Sequence, residues 1–314
     1  MLQNKIKSIF SKMNSNASAK PLSADLNAIQ TAIQELKILE AKSIAKQNMV
    51  HKDSILNDLN QAEFKVFSQW GDDGIIQFLV DYLAIEHHTF IEFGVENYTE
   101  SNTRFLLINN CWKGLVMDGS ASNVNQIKQS NLYWQYQLQA ECVFITKDNI
   151  NQLISTYTAN KELGILVIDV DGNDYWIWDA IDVVQPTIVI IEYNSLFGNE
   201  RAITIPYQNN FRRTEAHYSN LFYGASLKAL QVLATAKNYA LVACNNNGNN
   251  AFFVRKDQLK GLKELSIKQA YKQATFRESR DQQGKLTYLN FDDAIQVIEG
   301  LSVFNLESGQ SEPF

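Results

Sequence analysis

Acidic and amide residues follow two neighbouring apolar runs, and these residues have the greatest potential for chemistry. Asp169, Asp171 and Asp174 follow the first run, and Glu192 and Asn194 follow the second. Carboxylates buried together are unfavourable unless a cation or a proton neutralises them, and oxygen-only ligands suit Mg²⁺, Mn²⁺ or Ca²⁺ rather than zinc. The pattern predicts a divalent-metal site formed by Asp169, Asp171, Glu192 and Asn194. The alternative is that Asp169 faces a cofactor while Asp171 and Asp174 cap the next helix.

Two earlier apolar runs also end in acids. Glu92 lies two residues before Gly94, which lets the backbone approach a ligand, and the nearby carboxylates could receive an ammonium group. Asp118 follows about two dozen residues later, the spacing at which one acid can bind both hydroxyls of a ribose. The Glu92–Gly94 segment resembles the start of the S-adenosylmethionine (SAM) motif, although Glu96 and Tyr98 replace its later glycines.

The third apolar run also ends in a polar segment, which follows Asp118 at a similar spacing. Glu141 and Cys142, with Val143 beside them, lie where an adenine ring is bound in SAM enzymes, and the apolar side chains could flank the ring. The alternative is that these residues belong to the core.

The elements that must position these residues follow from the hydrophobic pattern. From Phe64 onward, short apolar runs alternate with helical stretches, which is typical of a parallel sheet flanked by helices. Ligands of such sheets bind beyond the carboxyl ends of the strands. The predicted strands are 89–93, 114–117, 136–144, 164–168, 187–191, 239–244 and 251–255, and the last two form a hairpin around the turn 245–250. The pattern predicts an α/β, Rossmann-like class I methyltransferase fold with a seven-stranded, mostly parallel sheet that ends in an antiparallel hairpin.

Two further segments flank this domain, which spans residues 61–256. Residues 257–314 are predicted to form a C-terminal helical cap, and residues 1–60 a helical extension. Within the extension, an apolar seam with steps of three and four residues is typical of a short coiled coil: Leu22, Leu26, Ile29, Ile33 and Leu36. This helix either packs on its own domain or forms a homodimer. Before it, a weak membrane-surface helix or a frayed terminus is predicted around Ile6, Ile9, Phe10 and Met13.

Composition narrows the range of partners. The net charge of −6 provides no general attraction for phosphate backbones, so a nucleic acid is disfavoured as a substrate. Cys111, Cys142 and Cys244 are odd in number and far apart, and they are interpreted as buried thiols of a reduced, cytoplasmic protein. No apolar run approaches the length that is needed to span a bilayer.

Taken in order, the segments SQWGDDG (68–74), FIEFG (90–94), SNT (101–103), GLVMDGS (114–120) and IDVDGNDY (168–175) resemble FkbM-type methyltransferases. The segments IEYN (191–194) and YGASL (223–227) extend the resemblance, which covers about residues 64–256. It implies SAM-dependent O-methylation of a saccharide or another small hydroxyl compound, often in bacterial surface-polysaccharide or secondary-metabolite biosynthesis. It carries Glu92 and Gly94 over as residues of the SAM loop and Asp118 as the ribose acid. The full set of candidate SAM-binding residues is Gln69, Glu92, Gly94, Glu96, Ser101, Asn102, Asp118, Gly119, Ser120, Glu141, Cys142 and Asp169.

The resemblance also concerns the active-site acids. It implies that Asp169 and Asp171 are active-site residues. The chain is more distantly similar to macrocin-type sugar O-methyltransferases, which bind a divalent metal through acids after strands four and five. This sequence has Glu192 and Asn194 where those enzymes have paired acids.

Residues 195–225 form a long polar insertion after the fifth strand, and long ordered loops usually have a function. O-methylation needs a hydroxyl aligned with the methyl group and a group that accepts its proton. His217 is a candidate base because its reference pKa is near neutrality, and Asp174 is the alternative. Arg212 and Arg213 either bind a phosphate or carboxylate of the substrate or form a solvated turn. The substrate-binding candidates are Tyr193, Arg212, Arg213, His217 and Tyr223.

Two other functions compete with methyl transfer. The incomplete glycine motif suggests a catalytically silent domain that assembles with partners through its N-terminal helix. Asp169 and Asp171 form a D-x-D triplet, which suggests a metal-dependent nucleotide-sugar enzyme.

Overall fold

The computed structural model describes residues 19–158 and 163–314. The strands of its main sheet are β1 (Thr89–Phe93), β2 (Lys113–Asp118), β3 (Leu138–Cys142), β4 (Ile165–Ile168), β5 (Ile188–Glu192), β7 (Tyr239–Cys244) and β8 (Asn250–Arg255). A smaller sheet contains β6 (Ile203–Thr204), β9 (Ser302–Asn305) and β10 (Gln310–Pro313). The helices are α1 (Ala19–Val50), α2 (Lys52–Ile55), α3 (Asp72–Leu83), α4 (Arg104–Asn109), α5 (Ala121–Gln129), α6 (Asn131–Gln135), α7 (Ile150–Tyr157), α8 (Asp174–Ala180), α9 (Arg213–Ala216), α10 (Leu227–Ala236), α11 (Ile267–Ala270) and α12 (Phe291–Ile298).

The main sheet has the strand order β3-β2-β1-β4-β5-β8-β7. Neighbours from β3 to β5 pair in parallel, whereas β8 is antiparallel to both β5 and β7. The predicted fold is therefore confirmed, including the closing hairpin. Asn245 stabilises the hairpin turn, because its Oδ1 accepts hydrogen bonds from the backbone N–H groups of Gly248, Asn249 and Asn250.

The central strands are buried along their whole length. Every residue of β4 and β5 is buried, which explains why these strands are continuous apolar runs rather than alternating ones. Alternate side chains enter opposite cores: Ile188 and Ile190 belong to one cluster, and Val189 and Ile191 to the other. Helices thus cover both faces of the sheet, and the carboxyl ends of the parallel strands meet at one edge.

Among the side chains of α1 that the structure describes, which exclude Leu22, those that pack on the domain lie in its C-terminal part. Ala41 is buried and Ile38 packs beside it, against Phe67 and Phe105. The preceding apolar residues are exposed: Leu26 by 52%, Ile29 by 55%, Ile33 by 49% and Leu36 by 64%. The predicted membrane-surface residues Ile6, Ile9, Phe10 and Met13 lie outside the described residues.

The C-terminal segment differs from the predicted helical cap. Its helices α11 and α12 are short, and residues 302–313 form a hairpin whose strand β9 pairs with β6 from the insertion. The insertion and this segment share a separate apolar core that contains Phe197, Ile203, Ile298 and Val303. Residues 302–313 therefore hold the insertion, whereas the preceding part of the segment packs on the main sheet, where Leu262 and Ala270 join its two buried cores.

The cysteines differ from their predicted burial. Cys244 is buried, but Cys111 and Cys142 are exposed. Cys142 is the last residue of β3, which forms an edge of the sheet, and it lies beyond the buried part of that strand. Within the described ranges, no helix is long and apolar enough to cross a membrane.

Candidate functional site

A cleft of about 180 Å³ opens at the carboxyl ends of β1, β2 and β4. Six predicted site residues line it: Gly94, Glu96, Asp118, Gly119, Asp169 and Asp171. They come from loops after three different strands, and the parallel sheet brings these loops to one edge.

Gly94 lets the loop after β1 pack directly on the loop after β4. Its φ is +70°, and a Cβ atom there would lie 1.6 Å from the backbone oxygen of Asp169. No side chain could be accommodated at that distance. The glycine that the sequence singled out is therefore required by a close backbone approach, next to the acid that faces the cleft.

Asp118 organises the loop after β2. Its Oδ2 accepts a hydrogen bond from the Glu96 N–H at 2.8 Å, and its Oδ1 accepts from the Ser120 N–H at 2.7 Å. Ser120 also caps α5 by accepting a hydrogen bond from Asn123. Asp118 Oδ1 also accepts from Asn123 Nδ2 at 3.2 Å. Asp118 thus joins two loops at the cleft, while its Oδ2, which accepts one hydrogen bond, keeps capacity for a further donor such as a ribose hydroxyl.

Apolar side chains form the wall of the cleft beyond β3. Val143, Phe144 and Ile145 line it, whereas Glu141 and Cys142 are exposed and do not. The predicted adenine wall is therefore displaced toward the C-terminus from Glu141 and Cys142. Phe144 was not predicted, because its role depends on where β3 ends.

Glu92 does not face the cleft, contrary to its predicted role near a ligand ammonium. It is buried, and its carboxylate accepts hydrogen bonds from the Ser101 hydroxyl, the Asn102 N–H and both the N–H and the hydroxyl of Thr103. Burial raises the pKa of Glu92, and these hydrogen bonds oppose the rise. Glu92, Ser101 and Asn102 are therefore occupied in holding the loop before α4. Gln69 is exposed and lies outside the cleft lining.

Asp169, Asp171 and Glu192, which we call the acid cluster, are brought together as predicted. One carboxylate oxygen of each lies within 4.8 Å of the others. Burial, reinforced by the neighbouring acids, raises the pKa of Asp169 and of Glu192 well above the usual range. Glu192 Oε2 is buried, and within the described residues it has no hydrogen-bond partner.

The other predicted polar residues of this region are occupied. Asn194 Oδ1 accepts from the Leu196 N–H, and its Nδ2 donates to the backbone oxygens of Leu221 and Tyr223, so both ends of the amide are used within the insertion. Asn194 is therefore not free to serve as the fourth ligand of the predicted metal site. Asp174 accepts hydrogen bonds from the Val170 and Gly172 N–H groups, and burial raises its pKa to about 6. It closes the loop after β4 but does not cap α8 as the alternative predicted, because the N-cap residue is Asn173 and no side chain of the described residues caps this helix.

The insertion crosses over the cleft. Phe211 lines the cleft and packs on Gly172, where a Cβ atom would lie 2.2 Å from the phenyl ring. Asn173 Nδ2 donates to the Gln208 backbone oxygen at 2.7 Å. Phe211 was not predicted, and Gly172 was its only sequence signal.

The predicted substrate residues occupy different places. Arg213 forms an ion pair with Asp171 at 2.8 Å, and its guanidinium lies over the buried ring of Tyr223. Arg212 is exposed and lies near Phe144 at the cleft wall. Tyr193 is buried and donates its hydroxyl to the Lys272 backbone oxygen, toward the C-terminal segment.

His217 is not among the residues that line the cleft. Its Nδ1 shares a hydrogen bond with the Ser219 hydroxyl, its ring packs on Tyr218, and burial lowers its pKa. Nothing in this arrangement directs the imidazole toward the acid cluster.

No protein-family model matches the chain, and no curated protein sequence does. Several solved structures are similar to it. A SAM-dependent methyltransferase from Clostridium acetobutylicum ATCC 824 has 11% identity and a TM-score of 0.36, covering 58% of this chain and 89% of that one. The N-terminal domain of EvdMO1, crystallised in the presence of SAH and D-fucose, has 8% identity and a TM-score of 0.37, with coverages of 65% and 94%. A SAM-dependent methyltransferase from Geobacter sulfurreducens in complex with S-adenosyl-L-homocysteine has 14% identity and a TM-score of 0.28, with coverages of 52% and 64%.

The fold assignment rests on strand order and register. Five parallel strands in the order 3-2-1-4-5, followed by an antiparallel hairpin that places β8 beside β5, form the class I methyltransferase sheet. The chain has that fold.

Proposed function

We propose that this protein is a SAM-dependent O-methyltransferase that acts on a hydroxyl group of a saccharide or glycoconjugate precursor. One observation carries the proposal: a single cleft joins a ribose-type acid, an apolar wall and a half-buried acid at the carboxyl edge of a class I methyltransferase sheet. The resemblance of the ordered segments to FkbM-type enzymes supports the saccharide acceptor.

The proposed roles follow from the position of each residue in the cleft. Asp118 accepts a hydrogen bond from a ribose hydroxyl through Oδ2, and Val143 and Phe144 pack on the adenine ring. Bound SAM supplies an electrophilic methyl group. The acceptor hydroxyl oxygen forms a bond to the methyl carbon as the carbon–sulfur bond breaks, and the hydroxyl proton passes to a base of the protein.

Asp169 is the best placed of the predicted bases. It lines the cleft, is half-buried and lies beside Gly94. Asp174 accepts two backbone hydrogen bonds, and His217 is outside the cleft lining. Burial raises the pKa of Asp169, and a carboxylate with a raised pKa is a stronger proton acceptor than an ordinary one.

The predicted divalent cation stays a prediction. Its support is the closeness of the three acid-cluster carboxylates and the unpaired oxygen of Glu192. Asn194 and Asp171 are engaged elsewhere. We therefore assign no step to a metal.

We also propose that α1 pairs with α1 of a second copy of this chain. Leu26, Ile29, Ile33 and Leu36 are exposed at steps of three and four residues, the spacing at which two identical helices interlock. About two heptads form a weak coiled coil by themselves, so the dimer should depend on concentration. Sedimentation should show dissociation of the wild type on dilution, whereas Ile33→Lys should be monomeric throughout. An I33K variant that dimerises like the wild type would contradict the pairing.

Calorimetry with SAM and S-adenosylhomocysteine tests the main proposal. We expect micromolar binding that Asp118→Ala abolishes. Asp179→Ala is the matched control, because Asp179 is an exposed acid on α8 outside the cleft lining. Failure of the wild type to bind either ligand would reject the proposal.

Two other outcomes would favour the competing functions. Thermal stabilisation by a nucleotide sugar, without any effect of SAM, would favour a nucleotide-sugar enzyme. Loss of partner association on deletion of residues 1–60, without activity on any acceptor, would favour an assembly role.

A further inference from the structure

A cation from the insertion reaches the acid cluster. Arg213, the first residue of α9, donates a hydrogen bond from Nη1 to Asp171 Oδ1 at 2.8 Å. We propose that Arg213 is the resident counter-cation of the acid cluster and takes the electrostatic place that a divalent metal would occupy. The inference rests on the proposed function only for the location of the active site.

Arg213 is held on three sides. Its Nε donates to the Asn220 backbone oxygen at 2.7 Å, and its guanidinium carbon lies 3.7 Å from the centroid of the Tyr223 ring. Asp171 completes the arrangement. A guanidinium that is stacked and hydrogen-bonded in this way is fixed before any ligand arrives. Only 17% of the Arg213 side chain is exposed, in contrast to 64% for Asp171.

The groups around Arg213 favour its positively charged form. Burial by itself would lower the pKa of Arg213, but Tyr223, Glu192 and Asp171 raise it above its usual range. Arg213 also lowers the pKa of Asp169 and of Glu192, against the larger opposite effect of burial. The guanidinium therefore acts on all three members of the acid cluster, although it forms an ion pair with only one.

This arrangement makes Arg213 and a metal competitors. A metal bound by all three carboxylates needs an oxygen of Asp171, which is already paired with Arg213. It would also place a second positive charge beside a fixed one, which is unfavourable at short range. Removal of the guanidinium should therefore strengthen metal binding rather than weaken it. A role of Arg213 in binding the substrate predicts no such gain.

Manganese titration of the full-length protein tests the inference without SAM or an acceptor. We expect Arg213→Met to bind Mn²⁺ about tenfold more tightly than the wild type, or better, because the competing cation is gone. Arg201→Met is the matched control, since Arg201 also forms an ion pair, with Glu312, and lies over the ring of Phe314. It should leave Mn²⁺ binding unchanged.

A second substitution tests whether the tighter Mn²⁺ binding depends on Asp171. Asp171→Asn in the Arg213→Met background should remove the added affinity, because the freed carboxylate is then lost. If Arg213→Met does not fold, as judged by circular dichroism, Arg213→Gln takes its place, because glutamine is neutral but can still donate a hydrogen bond.

Two results would overturn the inference. One is a neutral variant that folds and binds Mn²⁺ no more tightly than the wild type. The other is a wild type that binds Mn²⁺ with micromolar affinity through Asp171. Neither result depends on SAM binding, so failure here is distinguishable from failure of the proposed methyltransferase activity.

Discussion

Two buried glutamates at strand ends, Glu92 on β1 and Glu192 on β5, have opposite surroundings. Glu92 accepts four hydrogen bonds from residues 101–103, whereas the Oε2 atom of Glu192 has no partner within the described residues. Both carboxylates are desolvated, which by itself is unfavourable for the charged form. A buried acid whose acceptor sites are filled is part of the scaffold. A buried acid with an unfilled site, beside two other acids and next to the cleft, is a candidate for handling a proton or a cation.

The largest expected effect is on catalysis, and it comes from Asp169, which lies beside Glu192 in the acid cluster. Asp169→Asn should lower kcat by about 10²–10⁴-fold, because the amide cannot accept the hydroxyl proton. Its thermal stability should change little, since the size of the side chain is kept. Methyl transfer to a saccharide acceptor measures the first effect and a melting curve the second. Asp179→Asn is the control, and a variant with wild-type kcat would remove Asp169 from the chemistry.

Substitution of Glu92, whose carboxylate accepts four hydrogen bonds, should lower the stability of the folded protein. Glu92→Gln should lower the free energy of unfolding by about 3 kcal/mol, because the amide cannot accept all the donors of residues 101–103 and leaves at least one of them buried and unpaired. Urea denaturation measures the change. A loss of under about 0.5 kcal/mol would mean that these hydrogen bonds are not the reason for burying the acid.

Asp72, at the start of α3, is intermediate between the two glutamates. Its Oδ1 accepts hydrogen bonds from Asn245 and Asn250, while its Oδ2 is buried and without a partner in the described ranges. Burial raises its pKa from 3.8 to about 7, and the nearby Asp73 and Glu63 add to the rise.

A pKa that is raised on folding gives stability that is complete at low pH and is lost as pH rises through the folded value. Between about pH 4 and pH 7, the wild type should therefore lose on the order of 2 kcal/mol relative to Asp72→Asn. Unfolding free energies of both proteins, measured across this interval, test the sign. Parallel pH profiles would show that Asp72 does not titrate there.

The smallest expected effect comes from the same substitution made at the second glutamate. Glu192→Gln should change the unfolding free energy by about 1 kcal/mol or less, in the stabilising direction, because it removes a buried acid whose Oε2 lacks a hydrogen-bond partner among the described residues. Its comparison with Glu92→Gln is the direct test of the contrast. Equal losses in the two variants would show that hydrogen-bond satisfaction does not separate scaffold from site.

Sequence patterns predicted the sheet well because its strands are buried on both faces. Continuous apolar runs such as β4 and β5 carry that signal, and acids at their ends mark the edge where a ligand binds. Glu92 and Glu192 look alike in sequence, however. Their difference depends on whether other parts of the chain fold against them, and neither spacing nor composition contains that information.

The predictions for Cys142 and for the C-terminal segment were wrong for the same reason: both depend on how distant parts of the chain fold together. Cys142 was expected to be buried, but β3 is an edge strand that ends there, and of the two residues proposed to flank an adenine ring only Val143 lines the cleft, together with Phe144 and Ile145. The hairpin of β9 and β10 has little apolar alternation and includes Pro313, so its pattern does not resemble a strand pair. Only pairing with the distant β6 makes it a sheet.

The small sheet of β6, β9 and β10 affects the order in which parts of the chain can fold during translation. Strand β6 has two residues, which cannot form a sheet alone, and its partner β9 is translated only after the whole domain that binds the proposed cofactor. During synthesis, the insertion that carries Arg213 lacks its pairing with β9 until residues 302–305 have left the ribosome. The nascent chain can therefore complete its main sheet before the small sheet forms.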